Sequence, residues 1–164
     1  MVEWCEKIVT IMLEGFFRIT KIKVSKERMD SILQFVKFGV VGLSNTVVSY
    51  LIYLIVIVIL NKLDILQSIN YIIANTIAFL LSVLWSFFWN QKYVFKMKNR
   101  GKGDLLRALL KTYVTYLFTG LILNNILSIF WVSVVKISVF VAPIFNLVMS
   151  IPINFLLNKF WAFK

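Results

Sequence analysis

The stretch INYIIANTIAFLLSVLWSFFWNQKYVF, residues 69–95, carries no charged side chain before Lys92. Its first 21 residues, 69–89, are enough to cross about 30 Å of hydrocarbon as a helix. A helix is also the form such a run must take in lipid, because it satisfies its own backbone hydrogen bonds where water cannot. Three further charge-free runs cover residues 39–60, 113–135 and 137–157, with lengths of 22, 23 and 21 residues. The composition of the 164-residue chain agrees: 60% hydrophobic, 16% aromatic and only 15% charged, against roughly a quarter charged in soluble domains. A water-soluble fold of this size cannot hide that much apolar surface, and disorder fails for the same reason. The expected fold is an all-α membrane protein with four transmembrane helices. The last two should form a tight hairpin around the turn at 133–138, which holds Lys136.

Lys and Arg total 18 against 7 Asp and Glu, a net charge of +11. Seven of these basic residues lie in the segment up to Lys37, seven in the loop after the second run, and two, Lys159 and Lys164, at the C-terminus. The other two loops hold only Lys62 and Lys136, a partition of 16 to 2. By the positive-inside rule this puts both termini and the central loop in the cytoplasm. The basic excess is thus read as loop marking and attraction to anionic lipids, not as a nucleic-acid surface. Residues 1–36 form a separate segment before the 37–164 membrane domain. Trp4, Ile8, Ile11, Met12, Gly15, Ile19 and Ile22 recur there at helical spacing, as in an amphipathic helix lying on the inner leaflet. Glu3, Glu6 and Glu14 interrupt that segment and exclude a signal peptide. Ser25 is placed to cap a second helix over 26–37 that leads into the first span, with Glu27 and Asp30 near its positive end.

The ends of the second and fourth runs match at an offset of 68: Phe87 with Phe155, Asn90 with Asn158, Phe95 with Phe163, Lys96 with Lys164. Tyr93 and Trp161 are both aromatic, Ser82 aligns with Ser150, and Ser86 with Asn154. The copies run in the same direction, which reads as two parallel two-helix repeats. Asn146, Ser150, Asn154 and Asn158 follow at four-residue steps, as do Ser82, Ser86 and Asn90, so each set shares a helix face. Such faces are costly against lipid and should meet other helices or a wet cavity. They serve either as glue between helices or as a path for a polar substrate, and the two roles are compatible. Pro152 removes a backbone bond within the fourth run and frees a carbonyl that is expected to help line the cavity.

Much chemistry is excluded by what is missing. There is no His, one Cys (Cys5), and after residue 30 only Asp64 and Asp104 are acidic, in loops on opposite sides of the membrane. Triad chemistry, a metal site, a catalytic carboxylate pair and a disulfide framework are therefore not expected. Gly101 and Gly103 lack the spacing of a phosphate loop. The chain reads as a non-enzyme without cofactor. What remains is recognition of an amphiphilic anion. Lys37, Lys92, Lys111 and Lys159 lie near cytoplasmic helix ends, at the depth of lipid phosphates. Lys92 and Lys159 stand close in sequence to Asn90 and Asn158, and a lysine beside an amide can hold a phosphate while sugar hydroxyls meet Asn and Ser further in.

At these residues the chain resembles the GtrA-like family of small bacterial membrane proteins over about residues 34–164. The resemblance rests on QFVKFGVVGLSNTVVSYLIYLI entering the first span, ANTIAFLLSVLWSFFWNQKYVF in the second and IPINFLLNKFWAFK at the C-terminus. The paired N-x4-F endings, Asn90 with Phe95 and Asn158 with Phe163, are its most specific part. The resemblance implies a role in glycosylation of teichoic acid, O-antigen or another surface polymer. Members are thought to move a sugar linked to undecaprenyl phosphate to the outer leaflet of the bacterial cytoplasmic membrane, where a separate glycosyltransferase uses it. The expected substrate-binding residues are Ser86, Asn90, Lys92, Phe95, Ser150, Asn154, Asn158, Lys159 and Phe163. Asn124 and Asn125 match more weakly. Four helices make a thin wall, so a homo-oligomer is expected. Two other readings stay open: a non-transporting subunit that anchors or regulates a glycosyltransferase, and a small multidrug-type exporter. The exporter normally needs an intramembrane carboxylate, which the spans lack.

Overall fold

The computed structural model describes residues 9–11, 25–64, 67–95 and 101–164. Among these there are helices and no strand. Four are long and apolar enough to cross a membrane: α1, Lys26–Lys62; α2, Asn70–Val94; α3, Lys102–Val134; and α4, Ala142–Ala162. The expected N-terminal amphipathic helix falls outside the described residues except for 9–11, which are helical.

The spans sit where the charge-free runs put them, but their ends do not. The segment 26–37 and the first span are one unbroken 37-residue helix, about 55 Å long at 1.5 Å per residue. Ser25 caps it as expected: its Oγ accepts the Arg28 backbone N–H at 3.4 Å. Glu27 lies in the first turn and Lys62 in the last, each complementing the helix dipole. The helix stops where Asp64 adopts a left-handed conformation, φ 54°, which Asp tolerates better than most residues. The third helix starts at Lys102, not at 113, because charged side chains are free to continue a helix through the membrane interface. The fourth begins at Ala142, five residues after its charge-free run opens, and continues past 157 to Ala162. Pro143 sits in its first turn, where a missing N–H leaves nothing unsatisfied. The connection before it turns at Lys136, φ 65°, and Trp131 packs at 5.2 Å from Phe145 across the turn.

The chain forms two compact units, Met1–Lys96 and Met97–Lys164. In the first, α1 and α2 run antiparallel. Asn70 Nδ2 donates to Asn61 Oδ1 at one end, Trp85 Nε1 to Ser44 Oγ midway, and Gln34 Nε2 to the Val94 carbonyl at the other end. In the second, α3 and α4 do the same. Asn146 Nδ2 donates to the Asn124 carbonyl and to Ser128 Oγ, Thr119 Oγ1 to Asn154 Oδ1, and Lys111 Nζ to the Trp161 carbonyl.

Burial inverts the soluble pattern. On α2 the buried positions are Ala74, Ala78, Ser82, Ser86, Asn90 and Val94, one every four residues, joined by Val83 and Phe87. On α4, Ala142, Asn146, Phe155, Asn158 and Ala162 are buried, and Ser150 and Asn154 are half-buried. These are the positions that the offset of 68 pairs. Large apolar side chains such as Leu43, Leu51, Leu121, Ile129, Phe140 and Phe160 are exposed instead. Small and polar inside, large and apolar outside is how a protein solves burial when its solvent is hydrocarbon.

Candidate functional site

Both second helices end in the same device. The last turn of α2, Asn90–Val94, and that of α4, Asn158–Ala162, are π-helical. Each closes with a bond from the Phe N–H back to the Asn carbonyl five residues earlier: Phe95 to Asn90 at 2.8 Å and Phe163 to Asn158 at 2.9 Å. The N-x4-F spacing is thus the spacing of one π-turn. Wide turns also occur in α3, at Phe118–Leu123 and Phe130–Val134, so it is the buried Asn at the start of each turn, and not the turn itself, that sets these two ends apart. A polar side chain of the preceding helix covers a carbonyl at each turn's end, Gln34 on Val94 and Lys111 on Trp161, both at 3.0 Å.

Asn90 and Asn158 are fully buried. Each anchors its amide nitrogen within its own helix. Asn90 Nδ2 donates to Ser86 Oγ at 3.1 Å, and Asn158 Nδ2 to the Asn154 carbonyl at 2.8 Å. Each leaves its Oδ1 buried with no hydrogen-bond partner, as do Asn45 and Asn146. An unmade bond of this kind costs on the order of 1–3 kcal/mol, so its recurrence at matched positions is a feature to be explained.

The remaining expected residues divide. Ser86 is buried beside Asn90. Asn154 is half-buried and bonded at both its side chain and carbonyl. Ser150 is half-buried and returns its hydroxyl to the Leu147 carbonyl at 3.2 Å. Phe163 is buried, and Phe95 packs edge-on against Phe38 with ring centres 6.2 Å apart. Lys92 is not brought to Asn90. Two residues on, it lies on the far side of the helix, exposed, with Nζ 5.1 Å from the Tyr93 ring centre and 5.7 Å from that of Phe88. Lys159 is half-buried, with Nζ 5.4 Å from the Phe155 ring centre and 5.7 Å from that of Phe160. The lysine that the register sets level with Asn90 is Lys37, which is buried. Pro152 also differs from expectation. It and Val148, whose carbonyl it frees, are exposed, on the side of α4 away from the polar stripe. That carbonyl therefore does not face the seam.

Sequence reasoning passed over the third helix. Ala108, Thr112, Thr115 and Thr119 are buried along one face of α3, opposite the Asn stripe of α4. Their spacing of four, three and four residues was the available signal. Threonine marks a polar face less sharply than asparagine, whose repeats stand out in the second and fourth spans. Asn124 and Asn125 are exposed side chains, although the Asn124 carbonyl holds Asn146.

The fold and this arrangement define a multi-pass α-helical membrane protein whose polar groups are turned inward along paired helices. Residues 37–163 match the family described as the GtrA/DPMS transmembrane domain, and the chain belongs to that family. It is also 30% identical over 95 residues to the protein described as cell wall teichoic acid glycosylation protein GtcA from Listeria monocytogenes serovar 1/2a. That match covers 58% of this chain and 65% of the relative. A second Listeria monocytogenes sequence of the same description matches with the same identity and coverage. The chain thus spans just under two thirds of the length of these relatives.

Proposed function

We propose that the chain takes part in glycosylation of a cell-surface polymer by carrying a polyprenyl-phosphate-linked monosaccharide across the bacterial cytoplasmic membrane, with both termini inside. The observation that carries this reading is the pair of buried Asn side chains, Asn90 and Asn158, whose amide oxygens lack partners. A hexose brings several hydroxyls, each costly to bury unpaired, and buried acceptors are what they lack in lipid. The lysines at the same helix ends, Lys37, Lys92, Lys111 and Lys159, supply positive charge for the phosphate, while the polyprenyl tail remains among lipids. The cell wall glycosylation named for the Listeria relatives agrees with this assignment.

The charge-free runs of the four helices hold no carboxylate, Glu27, Asp30 and Asp104 lying near the starts of α1 and α3, so the reading is of a passive carrier rather than an enzyme, with net direction set by consumption of the sugar outside by a separate glycosyltransferase. The test is leaflet exchange of labelled polyprenyl-phosphate sugars by purified protein in liposomes, run beside Asn90→Ala and Asn158→Ala. Exchange by the parent chain that both variants lose supports the reading. Absence of exchange by the parent chain, with glycosylation in cells still dependent on it, assigns it instead as a subunit that supports the glycosyltransferase.

A further inference from the structure

The α3–α4 pair is held by a ladder of polar rungs. Lys111 meets the Trp161 carbonyl, Thr119 meets Asn154, and Asn124 with Ser128 meet Asn146. Thr115 lies four residues after Lys111 and four before Thr119. Asn158 lies four after Asn154 and three before Trp161. In an antiparallel pair this register sets Thr115 and Asn158 at the same level, as the rung between two that are made. It is the one left open: Thr115 Oγ1 and Asn158 Oδ1 are both buried, and neither has a hydrogen-bond partner.

Two details make the gap specific. Thr112 and Thr119, one turn either side, return their hydroxyls to the carbonyls of Ala108 and Thr115, each at 2.9 Å. Thr115, on the same helix face, does not. The Asn158 amide is also fixed in orientation, because its nitrogen is held by the Asn154 carbonyl and only the oxygen is left over. The open rung therefore offers one acceptor and one group that both donates and accepts. A ligand hydroxyl fits it completely, donating to Asn158 Oδ1 and accepting from Thr115. A phosphate oxygen does not fit, because it has no proton for Asn158 and would bring two acceptors together.

Among the described residues, the other unit has no such pair at Asn90. Opposite Asn90 the register brings Lys37, Phe38 and Val41 as buried residues, with no hydroxyl among them. The geometry points to Thr115 and Asn158 as a subsite for one hydroxyl of the sugar on a lipid-linked substrate, which rests on the transport reading above. The phosphate is bound elsewhere, and the sugar is read in the α3–α4 unit.

The experiment measures binding of polyprenyl phosphate, bare or linked to glucose, galactose or N-acetylglucosamine, to the full chain in nanodiscs. In the parent chain at least one sugar lipid should bind more tightly than the bare lipid. Thr115→Val, which keeps the shape of the side chain, should weaken that sugar lipid about tenfold, the scale of a lost hydrogen bond to a ligand. Binding of the bare lipid should stay within about twofold. Thr115→Ser should restore the preference, and Asn158→Leu should repeat the loss. A parent chain that binds none of the lipids sinks the transport reading itself. Equal weakening of bare and sugar lipids by Thr115→Val overturns the subsite alone, as does a change in thermal stability with unchanged sugar preference, which would mark a structural water or a direct Thr115–Asn158 bond.

Discussion

Replacing Asn90 with Leu separates the two roles that an intramembrane Asn can play. The side chain is fully buried, and Leu keeps its branching and its number of heavy atoms with somewhat more bulk. What it removes is one bond, from Nδ2 to Ser86 Oγ at 3.1 Å, and side-chain bonds inside membranes average about 0.6 kcal/mol. What it also removes is a buried, unpartnered Oδ1, a group that costs on the order of 1–3 kcal/mol to leave unsatisfied. The second term outweighs the first, so Asn90→Leu should be as stable as the parent chain or more stable by about 1 kcal/mol. Reversible unfolding in mixed micelles measures this. Surface glycosylation in cells that depend on the protein should nonetheless be lost, with normal insertion. That combination, stability kept and function gone, is the signature of a group held in place for a ligand. A loss of more than about 1 kcal/mol with glycosylation falling in proportion would refute the reasoning and return Asn90 to the role of helix glue. A stable and fully active variant would leave the buried acceptor without a function.

Three further outcomes follow from the geometry. A double-mutant cycle of Thr119→Val and Asn154→Leu should give a coupling of about 0.6 kcal/mol, since the 2.8 Å bond between them competes with the Thr115 carbonyl for one hydroxyl proton; a coupling near zero or above about 2 kcal/mol contradicts it. Deleting Gln91 should convert the π-turn at Asn90–Val94 to an α-turn, which closes the widened turn beside Asn90 while leaving Phe95 on nearly the same helix face, abolishing glycosylation while insertion is kept; activity in the deletion variant would show that the wide turn is dispensable. With Cys5 replaced by Ser, a membrane-impermeant maleimide added to intact cells should label Asp64→Cys and not Gly101→Cys, and the reverse pattern would overturn the orientation read from Lys and Arg.

The number of spans, their places and the inward role of Asn90 and Asn158 were legible because each depends on residue type alone. A charge costs too much in hydrocarbon to sit in the middle of a span, so charge-free runs mark spans directly. The N-x4-F pairs were legible as a pattern but not as a shape. Nothing in the spacing says that five residues close a π-turn rather than continue an α-helix, because both leave every side chain in a helix and differ only in which carbonyl the Phe N–H reaches. Lys92 was misplaced for a related reason. Two residues along a chain look adjacent, yet on a helix they point to opposite sides, and the buried cation level with Asn90 comes from the preceding helix, at Lys37, while Lys111 lies a turn away from the level of Asn158, against the Trp161 carbonyl.

By itself, then, the sequence determined that this is a four-span helical membrane protein with its polar residues confined to stripes, since the energy of placing charge and amide in lipid is set by side-chain chemistry before any folding. Tertiary structure alone decided which of those polar groups find each other. Thr119 meets Asn154 while Thr115 and Asn158, one turn along, remain unpaired, because that outcome depends on the register of two helices separated in the chain, to which no local preference is sensitive.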